Sequence, residues 1–484
     1  MSAAKTRPHA PDWAILAVVC LAQFMVILDV SIVNVALPAI RDDLGFSPGD
    51  LQWVVNTYAI AFAGFLLLGG RAADLFGQRR VFLFGIGLFT LASLAGGLAQ
   101  NPTTLLVARA AQGLGGAVLS PATLTIITTT FTEGHARSRA LGIWSALAGA
   151  GGATGALLGG ALTEVNWRWI LFVNIPIGIV GVVAAVLVLR PDAAARAKQR
   201  LDIVGSLLVT AGLMLVVYGV VATESHGWGS SDALIPIAAG VVLVVWFVFH
   251  EARVAAAPLV PLSLFESRSV TGANVTMLCI GGAVFASWYF LSLFMQGVMG
   301  FSPLRTGIAF LPQTFAIITG AQISSRIVTR VGPRRILAVA PLVSAVGLFW
   351  LSRLPADAHY WSNLFVPSVL VTFGVGLAFT PVAIAATSGL PRELAGLASG
   401  LVNTTRQVGG ALGLAVLATL ATSRSADFGN PRSHRALTAG YDRAFLIASG
   451  IGVLAALAAR LIPRHPRPAA AAAQQDAVAE SAGV

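Results

Sequence analysis

The feature that most limits what this chain can fold into is a succession of apolar runs of about twenty residues or more, each long enough to cross a bilayer as a helix. They lie near 13–38, 51–70, 81–99, 103–131, 139–163 and 168–189, then 203–222 and 233–250, then 270–297, 306–328, 336–352, 363–387, 394–421 and 443–462. In hydrocarbon every backbone polar group needs an internal partner, so runs of this length become helices. The expectation is an all-α integral membrane protein with 14 transmembrane helices. Of its 484 residues 56% are hydrophobic and 11% charged, against about a quarter charged in soluble proteins, which excludes a soluble enzyme. The first run contains Asp29 and Asn34 and lacks a cleavage site, so it reads as a span, not a signal peptide.

A net charge of +11 would suggest nucleic acid in a soluble protein, but here 29 Arg and 2 Lys sit chiefly between the spans. Of these 31, 21 fall in the even-numbered loops and termini and 8 in the odd-numbered loops, while Arg109 and Arg406 lie within spans. That bias predicts cytoplasmic N and C termini and no nucleic-acid partner. Arginine over lysine, with abundant Ala and Gly, points to a high-GC bacterium and so to its inner membrane. Cys20 and Cys279 form no pair, the seven histidines form no ligand cluster, and no Gly-x4-Gly-Lys-Ser/Thr loop is present. The reading is therefore no metal, no cofactor and no ATP site.

An internal repeat divides the chain. Gly45-Phe46-Ser47-Pro48 recurs 255 residues later as Gly300-Phe301-Ser302-Pro303, and the same offset carries Arg71, Gly77, Arg79 and Arg80 onto Arg326, Gly332, Arg334 and Arg335. The expected organisation is an N-terminal six-helix half over 1–190, inserted helices 7 and 8 over 191–255, a C-terminal half over 256–465 and a disordered cytoplasmic tail over 466–484. Duplicated transporters of this kind hold substrate near the bilayer midplane between the repeats.

Several motifs then become specific. The loop after span 2, Gly70-Arg71-Ala72-Ala73-Asp74-Leu75-Phe76-Gly77-Gln78-Arg79-Arg80, resembles the signature loop of the major facilitator superfamily. Leu105-x3-Arg109-x2-Gln112-Gly113 in span 4 is similar to that superfamily's second motif, and Gly142-x8-Gly151-x3-Gly155-Ala156-x2-Gly159-Gly160 in span 5 to its antiporter motif. Leu28-Asp29-x4-Asn34-Val35-Ala36-Leu37-Pro38, Trp167-Arg168-Trp169 leading to Asn174-x-Pro176-x-Gly178, and Asn403-x2-Arg406-Gln407-x-Gly409-Gly410 resemble the fourteen-span drug:proton antiporters. The sequence departs from the pattern where Ala156 replaces a proline and where Leu75 and Gln78 replace basic positions. The resemblance implies a multidrug efflux antiporter that uses the proton as coupling ion, works as a monomer by alternating access, and exports small hydrophobic substrates.

Only Asp29, Arg109 and Arg406 place formal charge well inside spans. Such charges face the bundle interior and mark transport paths. Asp29 lies nine residues before Pro38 and Arg109 six after Thr103, depths of about 13 and 9 Å at 1.5 Å per residue, so the two can meet. A carboxylate that gains and loses a guanidinium partner binds and releases a proton accordingly, which makes Asp29 the candidate proton carrier and Arg109 its switch. Asp74, Arg79 and Arg80 are the candidate conformational latch that the family loop implies. Gly142, Gly151, Gly155, Gly159 and Gly160 mark a close-packed helix stripe. Candidate substrate-cavity residues are Asn34, Gln112, Tyr289, Ser292, Gln296 and Arg406. Counting both arginines and the acid, that cavity would carry +1, favouring neutral, weakly charged or zwitterionic amphiphiles. The expected activity is proton-coupled export of such compounds, the alternative being a dedicated exporter of one natural product.

Overall fold

The computed structural model describes residues 11–131, 135–189, 202–255, 258–390, 392–431 and 433–463; the tail 466–484 lies outside them. These residues are helical throughout, with no strand among them. In chain order the long helices are α1 Asp12–Leu44, α2 Trp53–Phe76, α3 Gln78–Gly97, α4 Pro102–Thr130 and α5 His135–Val165. They continue as α6 Trp169–Val188, broken at Val173, then α7 Ile203–His226 and α8 Ser231–Arg253. The series ends with α9 Arg268–Gly297, α10 Pro303–Val331, α11 Pro333–Leu351, α12 Phe365–Thr387, α13 Arg392–Ala426 and α14 His434–Ala458.

Each apolar run has become one helix, and among the described residues twelve helices are long and apolar enough to cross a membrane by length and composition. The two outside that number, α5 and α10, are 31 and 29 residues long. They pack against each other. Helix ends also overrun the apolar runs. α1 continues past Pro38 to Leu44, and α14 starts at His434, nine residues before the apolar run begins. Intrahelical hydrogen bonding continues wherever polar side chains reach the interface, which hydropathy does not register.

The repeat is structural as well as sequential. Gly45 and Gly300 have φ of +72° and +67°, and Gly77 and Gly332 have +97° and +86°; these left-handed turns favour glycine and end α1, α9, α2 and α10. Ser47 accepts the Asp50 amide at 3.0 Å and Ser302 the Arg305 amide at 3.3 Å, with Pro48 and Pro303 following at the first turn. Packing repeats too. α1 against α5, α2 against α4, α3 against α4 and α3 against α6 recur as α9 against α13, α10 against α12, α11 against α12 and α11 against α14. The two sets meet along two seams, α5 with α10 and α2 with α13, and these are also equivalent. α7 lies against α8, α2 and α13, outside the second seam.

At the predicted outer end one apolar core runs through both sets, joining Ile32, Val35 and Ile40 of α1 to Ala286, Phe290 and Phe294 of α9. At the opposite end the cores separate, one within α1–α6 and another within α9–α14. Leu67 and Leu68 of α2, with Leu259, Val260 and Leu401, bridge that end only along the second seam. Three arginines that run against the charge bias are paired locally: Arg41 with Asp42, Arg168 with Asp43 and Arg424 with Asp427.

The start of α7 and the end of α8 are clasped by a buried polar cluster. Asp202 caps α7 by accepting the Gly205 amide at 2.8 Å and also binds His250 Nε2 at 2.9 Å. Glu251 accepts the Val260 amide at 2.8 Å, drawing in the segment that leads to α9. Burial pushes the Asp202 carboxyl upward, but the Gly205 amide, His250 and Glu251 outweigh it and hold the group below the usual carboxylate range. Such a group stabilises the fold above its unfolded pKa of about 3.9, and the contribution disappears as pH falls through the lower native value. Asp202→Asn should therefore lower stability at pH 7 by about 1–2 kcal/mol, read as a lower thermal midpoint in detergent. The gap from wild type should close as the buffer is taken below pH ~4; equal midpoints at pH 7 would refute the clasp.

Candidate functional site

Asp29 of α1 and Arg109 of α4 form an ion pair, Nη1 to Oδ2 at 2.6 Å. Four helices add to it. Gln112 Nε2 donates to Asp29 Oδ1 at 3.0 Å and to Ser93 Oγ of α3 at 2.7 Å, while its Oε1 accepts Arg109 Nη1 at 2.9 Å. Asn174 Nδ2 of α6 reaches Asp29 Oδ1 at 3.3 Å, and Arg109 Nε donates to the Val54 carbonyl of α2 at 3.1 Å. The guanidinium carbon lies 4.4 Å from the centroid of the Tyr58 ring. Asp29, Gln112, Ser93 and Asn174 expose no surface and Arg109 only 2%. Spacing explains the convergence: Arg109 and Gln112 are three apart on one helical face, and Gly113 and Gly116 let α2 approach beside them. An isolated charge here would be prohibitive, whereas a paired and hydrogen-bonded one is tolerated. The cluster lies within the first helix set. The sequence marks Asn174 and Tyr58 as polar residues of spans without ranking them and gives no signal for Ser93; the helix each one faces makes it a member of the cluster.

The glycines of α5 divide by what they face. A Cβ at Gly151 would come within 2.7 Å of the Ile27 side chain, at Gly155 within 3.1 Å of the Leu28 carbonyl, and at Gly159 within 2.8 Å of the Ile32 carbonyl, all on α1. At Gly160 it would meet the Pro303 carbonyl of α10 at 2.6 Å, across the seam between the sets. Gly307 of α10 reciprocates by lying against the Ala156 carbonyl. Gly142 faces open space. With alanine at 156, α5 runs on as one uninterrupted helix.

Asn34, Ser292 and Gln296 lie in the same closed outer region. Ser292 Oγ donates to the Asn34 carbonyl at 2.6 Å and Gln296 Nε2 to the Val35 carbonyl at 2.8 Å, pinning α9 to α1. The Asn34 side chain turns back to the Val30 carbonyl at 3.1 Å. Tyr289 is buried one turn away, edge-on to Phe290. Gln112 belongs to the Asp29 cluster. Of the six residues grouped as a cavity, only Arg406 borders the pocket found among α9, α10, α12 and α13, which Phe285, Trp288 and Phe379 also line.

Around the signature loop, Arg71 Nη2 donates to the Pro258 carbonyl at 2.8 Å and Arg79 Nη2 to the Val186 carbonyl of α6 at 2.7 Å. Gln78 Oε1 accepts from Thr129 Oγ1 at 2.9 Å, so the replaced basic position joins α3 to α4. Arg80 begins α3 beside them, and the Asp74 side chain lies outside the described residues.

The family model described as Major Facilitator Superfamily matches residues 19–414. The chain is 45% identical to the cephamycin export protein of Amycolatopsis lactamdurans, over 93% of this chain and 92% of that one. It is 40% identical to the puromycin resistance protein of Streptomyces alboniger, over 88% and 85%, and 37% identical to the tetracenomycin C resistance and export protein of Streptomyces glaucescens, over 86% and 77%. Among solved structures, a bacterial homologue of the human lysosomal transporter Spinster superposes with a TM-score of 0.66 at 15% identity, covering 94% of this chain and 97% of that one. A D-xylose–proton symporter gives 0.65 at 13%, covering 93% and 98%. These two share the fold.

The division among the glycines yields a test. Gly160→Leu should drive a side chain into the α10 backbone, hold the outer seam apart and abolish export, with the protein still present in the membrane at normal level. Gly142→Ala should export like wild type. Drug accumulation in expressing cells, normalised to membrane protein, reads both; full export by Gly160→Leu would show that the close approach is dispensable.

Proposed function

The chain belongs to the Major Facilitator Superfamily, and from that premise we propose that it is a proton-coupled antiporter exporting hydrophobic and amphiphilic antibiotics across the bacterial cytoplasmic membrane. The observation that carries the reading is the buried Asp29–Arg109 pair. A proton and the Arg109 guanidinium compete for the same carboxylate, so separation of α1 from α4 hands Asp29 to a proton and reunion expels it. The contacts come from separate helices, α3, α4 and α6 around α1, so a change in helix packing is transmitted directly to Asp29. The two seams and the closed outer end supply the other half of alternating access: contacts that must part for the outer side to open. In this reading the termini are cytoplasmic, the monomer is the working unit, and Asp74 with Arg79 and Arg80 latches the cytoplasmic end when it closes.

Export of antibiotics is supported by relatives whose names state export or resistance for cephamycin, puromycin and tetracenomycin C. One proton moving down 100 mV yields about 2.3 kcal/mol, enough for a roughly fiftyfold gradient of a neutral compound. Because each of those relatives is named for a single antibiotic, a dedicated self-resistance exporter is the second reading, separated from the first by the breadth of compounds moved.

Proteoliposomes containing an internal pH dye test both. Adding a substrate should trigger proton movement in the wild type, and Asp29→Asn should abolish it. Arg109→Lys should abolish it too, because an ammonium cannot hold Asp29, Gln112 and the Val54 carbonyl together. Gradient-driven transport by Asp29→Asn would overturn the coupling assignment, and flux with one scaffold alone would select the dedicated exporter.

A further inference from the structure

The second helix set contains a cation that the structure leaves unneutralised. Arg406 of α13 directs Nε and Nη2 to one acceptor, Asn403 Oδ1, at 3.3 and 2.8 Å. Among the described residues no carboxylate lies within ion-pair distance of it, and Nη1 has no hydrogen-bond partner. Around it the pocket wall is apolar and aromatic: Met277, Val284, Phe285, Trp288 and Phe379. The Phe285 ring centroid is 5.8 Å from the guanidinium carbon, a cation–π contact that carries no formal negative charge. The backbone at this position is closely packed against α9. Gly281 of α9 lies against the Arg406 carbonyl, and a Cβ at Gly410 would meet the Phe285 ring at 2.8 Å.

The first set shows what a neutralised arginine looks like in the same protein. Arg109 has a carboxylate, an amide and a backbone carbonyl around it. The 255-residue offset carries Asp29 onto Val284, which forms part of the pocket wall. Thus the second set brings an arginine in from α13 and omits the acid. Buried cations are tolerated when paired, and planar guanidinium groups pair best with two-oxygen anions.

We infer that Arg406 is the anion-recognition residue of the substrate pocket. The ligand class it selects is an amphiphile carrying one carboxylate, or an equivalent monoanionic oxygen group, on an apolar or aromatic skeleton. The skeleton lies against Phe285, Trp288 and Phe379 while the anion takes the free edge of the guanidinium. This rests on the exporter reading above and narrows it: with Asp29 and Arg109 cancelling each other inside the first set, Arg406 alone sets the charge of the pocket. An anion on an acyclic lipid headgroup offers the same oxygen chemistry, so the test separates the two sources.

The experiment is equilibrium binding to purified full-length protein at pH 7.5, without a gradient, using a fluorescent aromatic carboxylic acid and its methyl ester. Wild type should bind the acid about tenfold or more tighter than the ester, the increment of one charge-assisted pair. Arg406→Gln should erase that preference, the acid losing about tenfold more affinity than the ester, and the ester binding that remains reports a folded pocket. Arg406→Lys should keep part of it. Equal loss of acid and ester in Arg406→Gln together with retained preference in Arg406→Lys would mean the glutamine variant is misfolded and the lysine variant supports the assignment. No acid preference in wild type, or a preference that survives Arg406→Gln, overturns it. Nanodiscs of phosphatidylcholine with and without phosphatidylglycerol provide the second arm. A preference erased by phosphatidylglycerol gives Arg406 to a lipid headgroup and overturns the substrate assignment. Binding needs no proton gradient, so failure of coupling in Asp29→Asn proteoliposomes and failure of anion recognition are independent results.

Discussion

A carboxylate and a guanidinium with no access to water determine much of how this protein must be built. Removing one partner of such a pair leaves an uncompensated buried charge, which costs about 3–5 kcal/mol. The surrounding helices are arranged accordingly: α2 lends a backbone carbonyl and an aromatic face, α3 a hydroxyl, and α6 an amide. This explains the small residues nearby. Gly113 and Gly116 bring α2 up to α4, and Gly151, Gly155 and Gly159 bring α5 up to α1, so the helix carrying Arg109 and the helix carrying Asp29 each have a close-packed neighbour. Tight packing of this kind moves as units and not by continuous deformation. In the proposed coupling, loss of the Asp29–Arg109 pair is thus a change in how whole helices fit.

The two sets repeat their backbone but not their chemistry. Positive-φ glycines, serine caps and helix pairings match across the 255-residue offset, while the polar cluster of the first set has a pocket of apolar and aromatic side chains as its counterpart. A duplicated scaffold can divide labour in this way because the repeat is maintained by caps and turns at helix ends, leaving the interior positions free to diverge. In the proposed antiporter, proton handling and ligand contact are thereby assigned to different helix sets that share two seams. Any coupling between them runs through α5 with α10 and α2 with α13.

Much of this was legible in the sequence, for identifiable reasons. Span positions were, because hydrocarbon demands long apolar helices; the Asp29–Arg109 meeting was, because only three charges lie deep and two have matching depth. Helix ends were not, since α1 past Pro38 and α14 before residue 443 are polar at the interface yet still hydrogen-bonded as helix. Nor was the location of Ser292 and Gln296. Tyr289, Ser292 and Gln296 are spaced to share one helical face, but the partners of Ser292 and Gln296 are backbone carbonyls of α1 258 and 261 residues away, and a carbonyl leaves no mark in side-chain sequence. Asn174 and Ser93 were hidden similarly: an amide or hydroxyl in a span is uninformative until the helix it faces is known.

The inserted pair gains a role from the same geometry. α8 is the least enclosed of the candidate spans, with 11% of its most apolar window buried, and Val241, Val245, Trp246 and Phe249 are exposed on it, as expected of a lipid-facing helix. α7 stands between it and the α2–α13 seam, with Thr210 against Gly64 and Val217 packed with Ile60 and Ala415. At the predicted cytoplasmic end the segment after α8 is bound to the signature loop through Arg71 and to the clasp through Glu251. Among the described residues no helix outside the two sets packs on the α5–α10 seam. The pair therefore braces one seam and not the other, so in the proposed alternating-access cycle the seam expected to part is α5–α10, where Gly160 and Gly307 bring the backbones together.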